Sequence, residues 1–370
     1  MITTRARHAW KSALAAVAAC LAVSGGIAAC GSINAADEAR AAAASLKDAH
    51  VASFTLHVDD PAGELPKAAT TPDDKKAAQA VADASLRITV DPAGDATLGQ
   101  APTAGPTNDP ARALQNSGSF ELAYTNQGTD VVTLRMVNGV LFAKADFGQI
   151  EKLAGQPLYL DDFTGGDPSL TGLVDGVKAG KWISLDVAAF YQQMKDSGLT
   201  GPLQAQELAP AQMQALGREL LDAVKAHTVT TQKAGADNQV VVNVTVKAKQ
   251  ALLAAIAVFE RPQYQALLGM TGTDGTKAFD ELKAGVNKLT DREVTGSLTS
   301  QDKHLKQLRV DLAGVAKLSG DPDAARIRTS RLVVDIDDAA SPVTAPSGTQ
   351  VISADSLITA FLGAAMGAAA

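Results

Sequence analysis

The chain is poor in the residues that most catalytic and metal centres need. Among its 370 residues are two cysteines, Cys20 and Cys30, five histidines, and an aromatic share of 4%. The formal charge is −7, and no block of five or six Lys or Arg is present to make the basic stripe that grips nucleic acid. The apolar run from Ala13 to Ile27 falls short of the roughly 20 residues a membrane-spanning helix takes, and Ser24-Gly25-Gly26 weakens it further. There is no G-x-S-x-G nucleophile elbow, no P-loop and no dinucleotide-binding G-x-G-x-x-G. Gly272-Thr273-Asp274-Gly275-Thr276-Lys277 is the nearest mimic, but it lacks a preceding strand and the right spacing, so it is a turn leading into a helix.

What is present begins at the N-terminus. Arg5, Arg7, His8 and Lys11 precede the uncharged run, the charged-then-apolar order of a secretory signal. The run ends in Ile27-Ala28-Ala29-Cys30, followed by Gly31-Ser32, and this small-small-Cys ending resembles the lipobox of bacterial lipoproteins. That resemblance implies diacylglycerol on the Cys30 sulfur, cleavage just before it, and an outward-facing chain anchored in the cell membrane. Val17-Ala18-Ala19-Cys20 is a rival, but Cys20 follows Lys11 too closely for an apolar leader core of about 7 to 15 residues and a cleavage region. With Cys30 acylated and Cys20 removed, no disulfide, zinc-thiolate cluster or cysteine nucleophile remains. Loss of the leader's three basic residues takes the formal charge from −7 to −10.

The expected organisation is a leader over 1–29, a lipidated tether over 30–34, one domain over 35–346 and a tail over 347–370 that holds a short helix. Ala35 to Ala49 is an Ala-rich helix. The period then changes to two in Val51 to Val58, where Phe54, Leu56 and Val58 share a face. The polar stretch through Ala84 holds one short helix, and Ser85 to Val90 alternates again, with Leu86, Ile88 and Val90 inward and Arg87 outward. Phe120, Leu122 and Tyr124 alternate next, and Asn138-Gly139 closes a hairpin between Val131–Val137 and Val140–Ala145. Pairing Val137 with Val140 puts Met136 opposite Leu141 and Leu134 opposite Ala143 on one apolar face, and sends Arg135, Thr133 and Lys144 to a wet one.

From Asp146 to Gly180 the chain reads as irregular. Gly180-Lys181-Trp182-Ile183-Ser184-Leu185 is a short strand, and Asp186 caps a helix through Met194. Further helices follow Pro210 and cover 251–259 and 277–289; further strands lie at 227–232, 239–247 (with Val240, Val242, Val244 and Val246 on one edge), 293–299, 305–312 and 328–337. Pro342 to Pro346 ends the sheet. The fold class is α+β: a single large curved antiparallel sheet, a half-barrel of about 11 strands, with helices over its concave face.

The mature histidines, His50, His57, His227 and His304, have no second ligand at metal spacing, and each takes a surface or capping role. Asp73-Asp74 and Asp161-Asp162 sit beside turns as solvated carboxylates, and Asp335, Asp337 and Asp338 form the wet edge of the last long strand. No residue cluster supports an enzyme, and no cofactor is expected.

The order of these pieces carries a resemblance. The lipobox, the Ala-rich first helix, Leu46-Lys47-Asp48-Ala49-His50-Val51, Gly63-Glu64-Leu65-Pro66-Lys67, Met136-Val137-Asn138-Gly139-Val140-Leu141-Phe142-Ala143 and Gly180-Lys181-Trp182-Ile183 resemble the actinobacterial LppX/LprAFG lipoproteins. The likeness continues weakly through Val240 to Leu253 and Leu305 to Leu312. It implies a half-barrel similar to the LolA and LolB carriers and a cavity for acylated lipid or glycolipid. Candidate lining residues are Phe54, Leu56, Leu86, Ile88, Leu122, Leu134, Met136 and Val242, in a monomer that binds no nucleic acid. The rival class is a structural or signalling envelope lipoprotein that binds a protein through its long loops and has a filled core; a hydrolase is a third, weaker reading.

Overall fold

A computed structural model describes residues 33–100, 118–158, 168–196, 210–234, 238–265, 272–318, 320 and 325–353. Cys30, Asp161-Asp162 and the tail helix expected beyond Ser353 lie outside the described residues. The strands are β1 (Ala52–Asp59), β2 (Ala84–Asp91), β3 (Ser119–Asn126), β4 (Thr129–Val137), β5 (Val140–Ala145), β6 (Ile183–Asp186), β7 (Thr228–Ala234), β8 (Gln239–Lys247), β9 (Glu293–Gln301), β10 (His304–Asp311), β11 (Arg331–Asp337) and β12 (Gln350–Ile352). They form one sheet in the order β12-β6-β5-β4-β3-β2-β1-β11-β10-β9-β8-β7. The pairings from β2 to β6 and from β7 to β11 are antiparallel, and β12 runs parallel to β6. The expected α+β class with one large sheet holds.

The described helices are α1 (Ile33–Asp48), α2 (Glu64–Ala68), α3 (Pro72–Ala82), α4 (Phe147–Ala154), α5 (Pro168–Lys178), α6 (Val187–Asp196), α7 (Pro210–Lys225), α8 (Ala248–Phe259), α9 (Pro262–Gln265), α10 (Gly272–Asn287) and α11 (Leu312–Leu318). Two of them fall in the stretch expected to be irregular. Asp146 starts α4 by accepting from the Gln149 N–H at 3.0 Å, and Gly155 ends it at φ 70°, a conformation glycine takes without a Cβ penalty. Pro168 opens α5, where its missing N–H has no helical partner to lose. Asp186 caps α6 as expected, accepting from the Ala189 N–H at 2.9 Å. The single short helix expected between β1 and β2 is a pair, α2 and α3, and the sheet continues past Pro346 into β12.

The chain divides into two compact units. The first draws its described residues from Met1–Ser45, His57–Ala82 and Gln204–Ile336. Its core is conventional. β-Branched valines alternate along β8, and Val242, Val244 and Val246 pair with Leu298, Gly296 and Val294 of β9 on one face. Val242, Val244 and Leu298 are fully buried there, and Ala248, Val294, Val310 and Leu318 form a cluster edged by Leu289, Leu308, Val315 and Leu332. Helices α7 and α10 both pack on α8.

The second unit draws on Leu46–Leu56, Asp83–Leu203 and Asp337–Ala370. Its centre is the meander β2-β3-β4-β5-β6. The Asn138-Gly139 turn has φ of 51° and 80°, the paired positive values of the tight hairpin turn whose twist matches its strands. The register is the expected one, with Val137 opposite Val140, Met136 opposite Leu141 and Leu134 opposite Ala143.

Candidate functional site

Register defines two faces on the second unit's meander. On one face, Leu86 lies opposite Tyr124, Ile88 opposite Leu122, and Val90 opposite Phe120. The row continues through Met136, Leu134 and Val132 of β4, Leu141, Ala143 and Ala145 of β5, and Leu185 and Ile183 of β6. No charged side chain interrupts it. Ser53 of β1 bonds to Thr89 on the other face at 3.2 Å, so alternation puts Phe54 and Leu56 on the apolar face too. Seven of the eight expected lining residues, Phe54, Leu56, Leu86, Ile88, Leu122, Leu134 and Met136, therefore share one surface. Val242 belongs to the first unit, where it is 1% exposed and packed as core.

The burial of the two faces departs from the wet-and-greasy expectation, although Arg87 and Lys144 on the polar face are exposed. On the apolar face Phe120 is 40% and Ile88 36% exposed, most of the others are half-buried, and only Met136 is buried. On the polar face Thr89, Glu121 and Thr133 are buried, with Glu121 at 7% exposure. The cover on the polar face is the segment after β11. Val343 is buried and donates its N–H to Asp91 at 2.9 Å, while the Thr344 carbonyl accepts from Arg135 at 3.2 Å. From Val343, tied to the Asp91 side chain of β2, the strap runs without a helix to Gln350 of β12 beside β6.

Under the strap lies an ion triad. Glu121 accepts from Arg87 at 3.0 Å and from Arg135 at 2.6 Å, one guanidinium to each carboxylate oxygen. Arg135 also lies over the Trp182 ring at 5.0 Å, a cation–π contact that holds its planar head in place. A carboxylate this buried needs both partners, because either one alone leaves desolvated charge. The strap and triad border a half-open pocket of about 330 Å³, lined by Ser53, Arg87, Thr89, Glu121, Arg135, Asp337 and the segment 340–344. Sequence reading missed this site. Its signal was Arg135 falling opposite Glu121 once the hairpin register is extended to β3.

A second carboxylate arrangement lies in the first unit. Glu64, opening α2, accepts from the successive backbone N–H groups of Arg328, Thr329 and Ser330 at 2.6, 2.7 and 3.3 Å, and from the Ser330 hydroxyl at 3.1 Å. Asp60 accepts from the N–H groups of Glu64 and Leu65 and from the same Ser330 hydroxyl. The backbone donors, Thr329 first and then Arg328, hold the Glu64 pKa down to about 2. Since neither α2 nor α3 has a buried residue, this contact is a main attachment of the pair.

The remaining expected polar residues are structural. His57 lies 3.5 Å from Asp335, His50 donates to the Ala96 carbonyl at 3.2 Å, and His304 bonds to Ser45 at 2.8 Å. Asp74 and Thr71 cap α3 reciprocally. Among the described residues, no group of three or more His, Cys, Asp or Glu could hold a metal ion, and no helix is long and apolar enough to cross a membrane.

Fold and faces together define an α+β protein with one large, mostly antiparallel sheet. No protein-family model matches the sequence, and no curated protein matches it. Among solved structures, the chain is similar to the Mycobacterium tuberculosis lipoprotein LppX, at 9% identity and a TM-score of 0.29, over 84% of this chain and 97% of that one.

Proposed function

We propose that the protein is a cell-envelope lipoprotein, anchored through Cys30, that binds the acyl chains of a lipid or glycolipid against the apolar face of its second unit and carries them within or across the envelope. The observation that carries this reading is the uncharged face running across β2 to β6, which is neither solvated by polar groups nor sealed as core. Monomeric soluble domains rarely leave such a surface without an occupant. An acyl chain matches it chemically: aliphatic side chains dominate, and each CH2 removed from water contributes about 0.8 kcal/mol. Binding of this kind needs no catalytic group, cofactor or metal. The resemblance of the lipobox, the hairpin and the Gly180-Lys181-Trp182-Ile183 strand to LppX/LprAFG lipoproteins supports the same reading.

The test is native mass spectrometry, with organic extraction, of the chain produced in an exporting host. An extractable species of lipid mass is expected, and a Cys30→Ala variant should lose the diacylglycerol mass and the membrane association while still loading lipid. A clean unliganded mass, with no uptake of an added fluorescent fatty acid, would overturn the carrier reading and favour an envelope protein that binds another protein.

A further inference from the structure

The pocket beneath the strap faces away from the apolar surface, and nothing in acyl-chain binding uses it. Its chemistry differs from that surface throughout. Two guanidinium groups, Arg87 and Arg135, are matched by two carboxylates, Glu121 inside and Asp337 at the rim, so the lining carries no net charge. Hydroxyls come from Ser53, Thr89, Ser341 and Thr344, and acceptors from the strap carbonyls. Pro342 contributes a carbonyl but no N–H.

The groups are fixed before any ligand arrives. Glu121 is held at both oxygens, Arg135 is bonded on Nε and Nη1 and seated on Trp182, and Thr89 is bonded to Ser53. Among the described residues Arg87 bonds to Glu121 alone, through Nη2, which leaves the rest of its planar donor array directed at the pocket or solvent. An anion would gain from the arginines but would have to sit beside the desolvated Glu121 carboxylate. A cation meets the converse difficulty at the arginines. The ligand class that uses both donors and acceptors at close range, without a charge of its own, is a neutral polyol, and the volume of about 330 Å³ falls at the lower end of small-molecule sites.

We propose that this pocket is a saccharide-binding site, taking a neutral sugar unit between the polar face of β1 to β4 and the strap over 337–344. It is independent of acyl-chain binding, because the two occupants take opposite faces of the sheet. A sugar hydroxyl would donate to Glu121 or a strap carbonyl while its oxygen accepts from Arg87 or a threonine hydroxyl, the paired pattern that discriminates a polyol from water.

The test uses the full chain in detergent micelles on an array of neutral oligosaccharides, with ¹⁵N–¹H spectra following the indole N–H of Trp182, which lies against the pocket's Arg135. At least one neutral glycan should bind saturably and shift that signal. Ser341→Trp, on the exposed strap, should weaken binding at least tenfold without changing the melting temperature or lipid loading. Arg87→Ala should also weaken binding at least tenfold, with a lower melting temperature because Glu121 keeps only Arg135, and Arg87→Lys should recover only part. A shift of Trp182 with inorganic phosphate or acetate alone would overturn the proposal in favour of an anion site. So would an array without binding, or binding that both variants leave intact.

Discussion

The Glu121 carboxylate and the Arg135 guanidinium meet at 2.6 Å on the side of the meander that alternation assigns to water, and it is this side that the chain covers. Removing one member should therefore behave as a buried change. Glu121→Gln leaves two arginines sharing a neutral amide, and we expect a loss of about 2–4 kcal/mol in urea unfolding at neutral pH. Arg135→Ala should cost a similar amount and also shift the emission of Trp182, which loses the cation over its ring. A loss below about 0.5 kcal/mol in both variants would mean the triad is solvated.

Leu134 sits between Leu122 and Ala143 at the middle of the apolar face. Leu134→Trp should fill the space an acyl chain needs and abolish uptake of a fluorescent fatty acid while the protein still melts cooperatively. Normal uptake by the folded variant would remove Leu134 from the lining.

In the first unit Leu298 is fully buried between Val242 and Leu308. Leu298→Ala should cost about 2–5 kcal/mol through lost burial and the cavity left behind. The same substitution at Leu134, on a face that is only half-buried, should cost clearly less; equal losses in chemical denaturation would show that both faces are core.

Glu64 provides the pH dependence. Its pKa is about 2 in the folded chain against 4.5 for an ordinary glutamate, so the folded state favours the ionised form. The resulting stabilisation is fully present above about 4.5 and is lost as pH falls through about 2. Glu64→Gln should lower the melting temperature at neutral pH and flatten its decline over that acid range.

The hairpin register was legible because two residues decide it: Asn138-Gly139 accepts positive φ twice, and everything from Met136 to Leu141 follows by pairing. The seven residues of the apolar face were legible for the same reason. Which face is covered was not, because alternation separates two faces without saying what lies on either. The cover comes from Val343 and Thr344, some two hundred residues along the chain from the strands they cross, and no local pattern announces it. Val242, expected in the lining, is packed beside Leu298 and Val244 in the first unit, and a core valine and a lining valine look alike in sequence. Helix α4 was a different miss, since its signals, Asp146 at the start and Gly155 at the end, are both local.

β12 lies parallel to β6, with Gln350 beside Ile183. A ribosome or an export channel delivers the chain from its N-terminus, so β6 emerges long before the strand that covers it. Until residue 352 arrives, the β6 edge offers unpaired backbone groups to any other extended chain, and the polar face has no strap. The second unit thus completes itself only once β12, far along the chain from β6, has followed it.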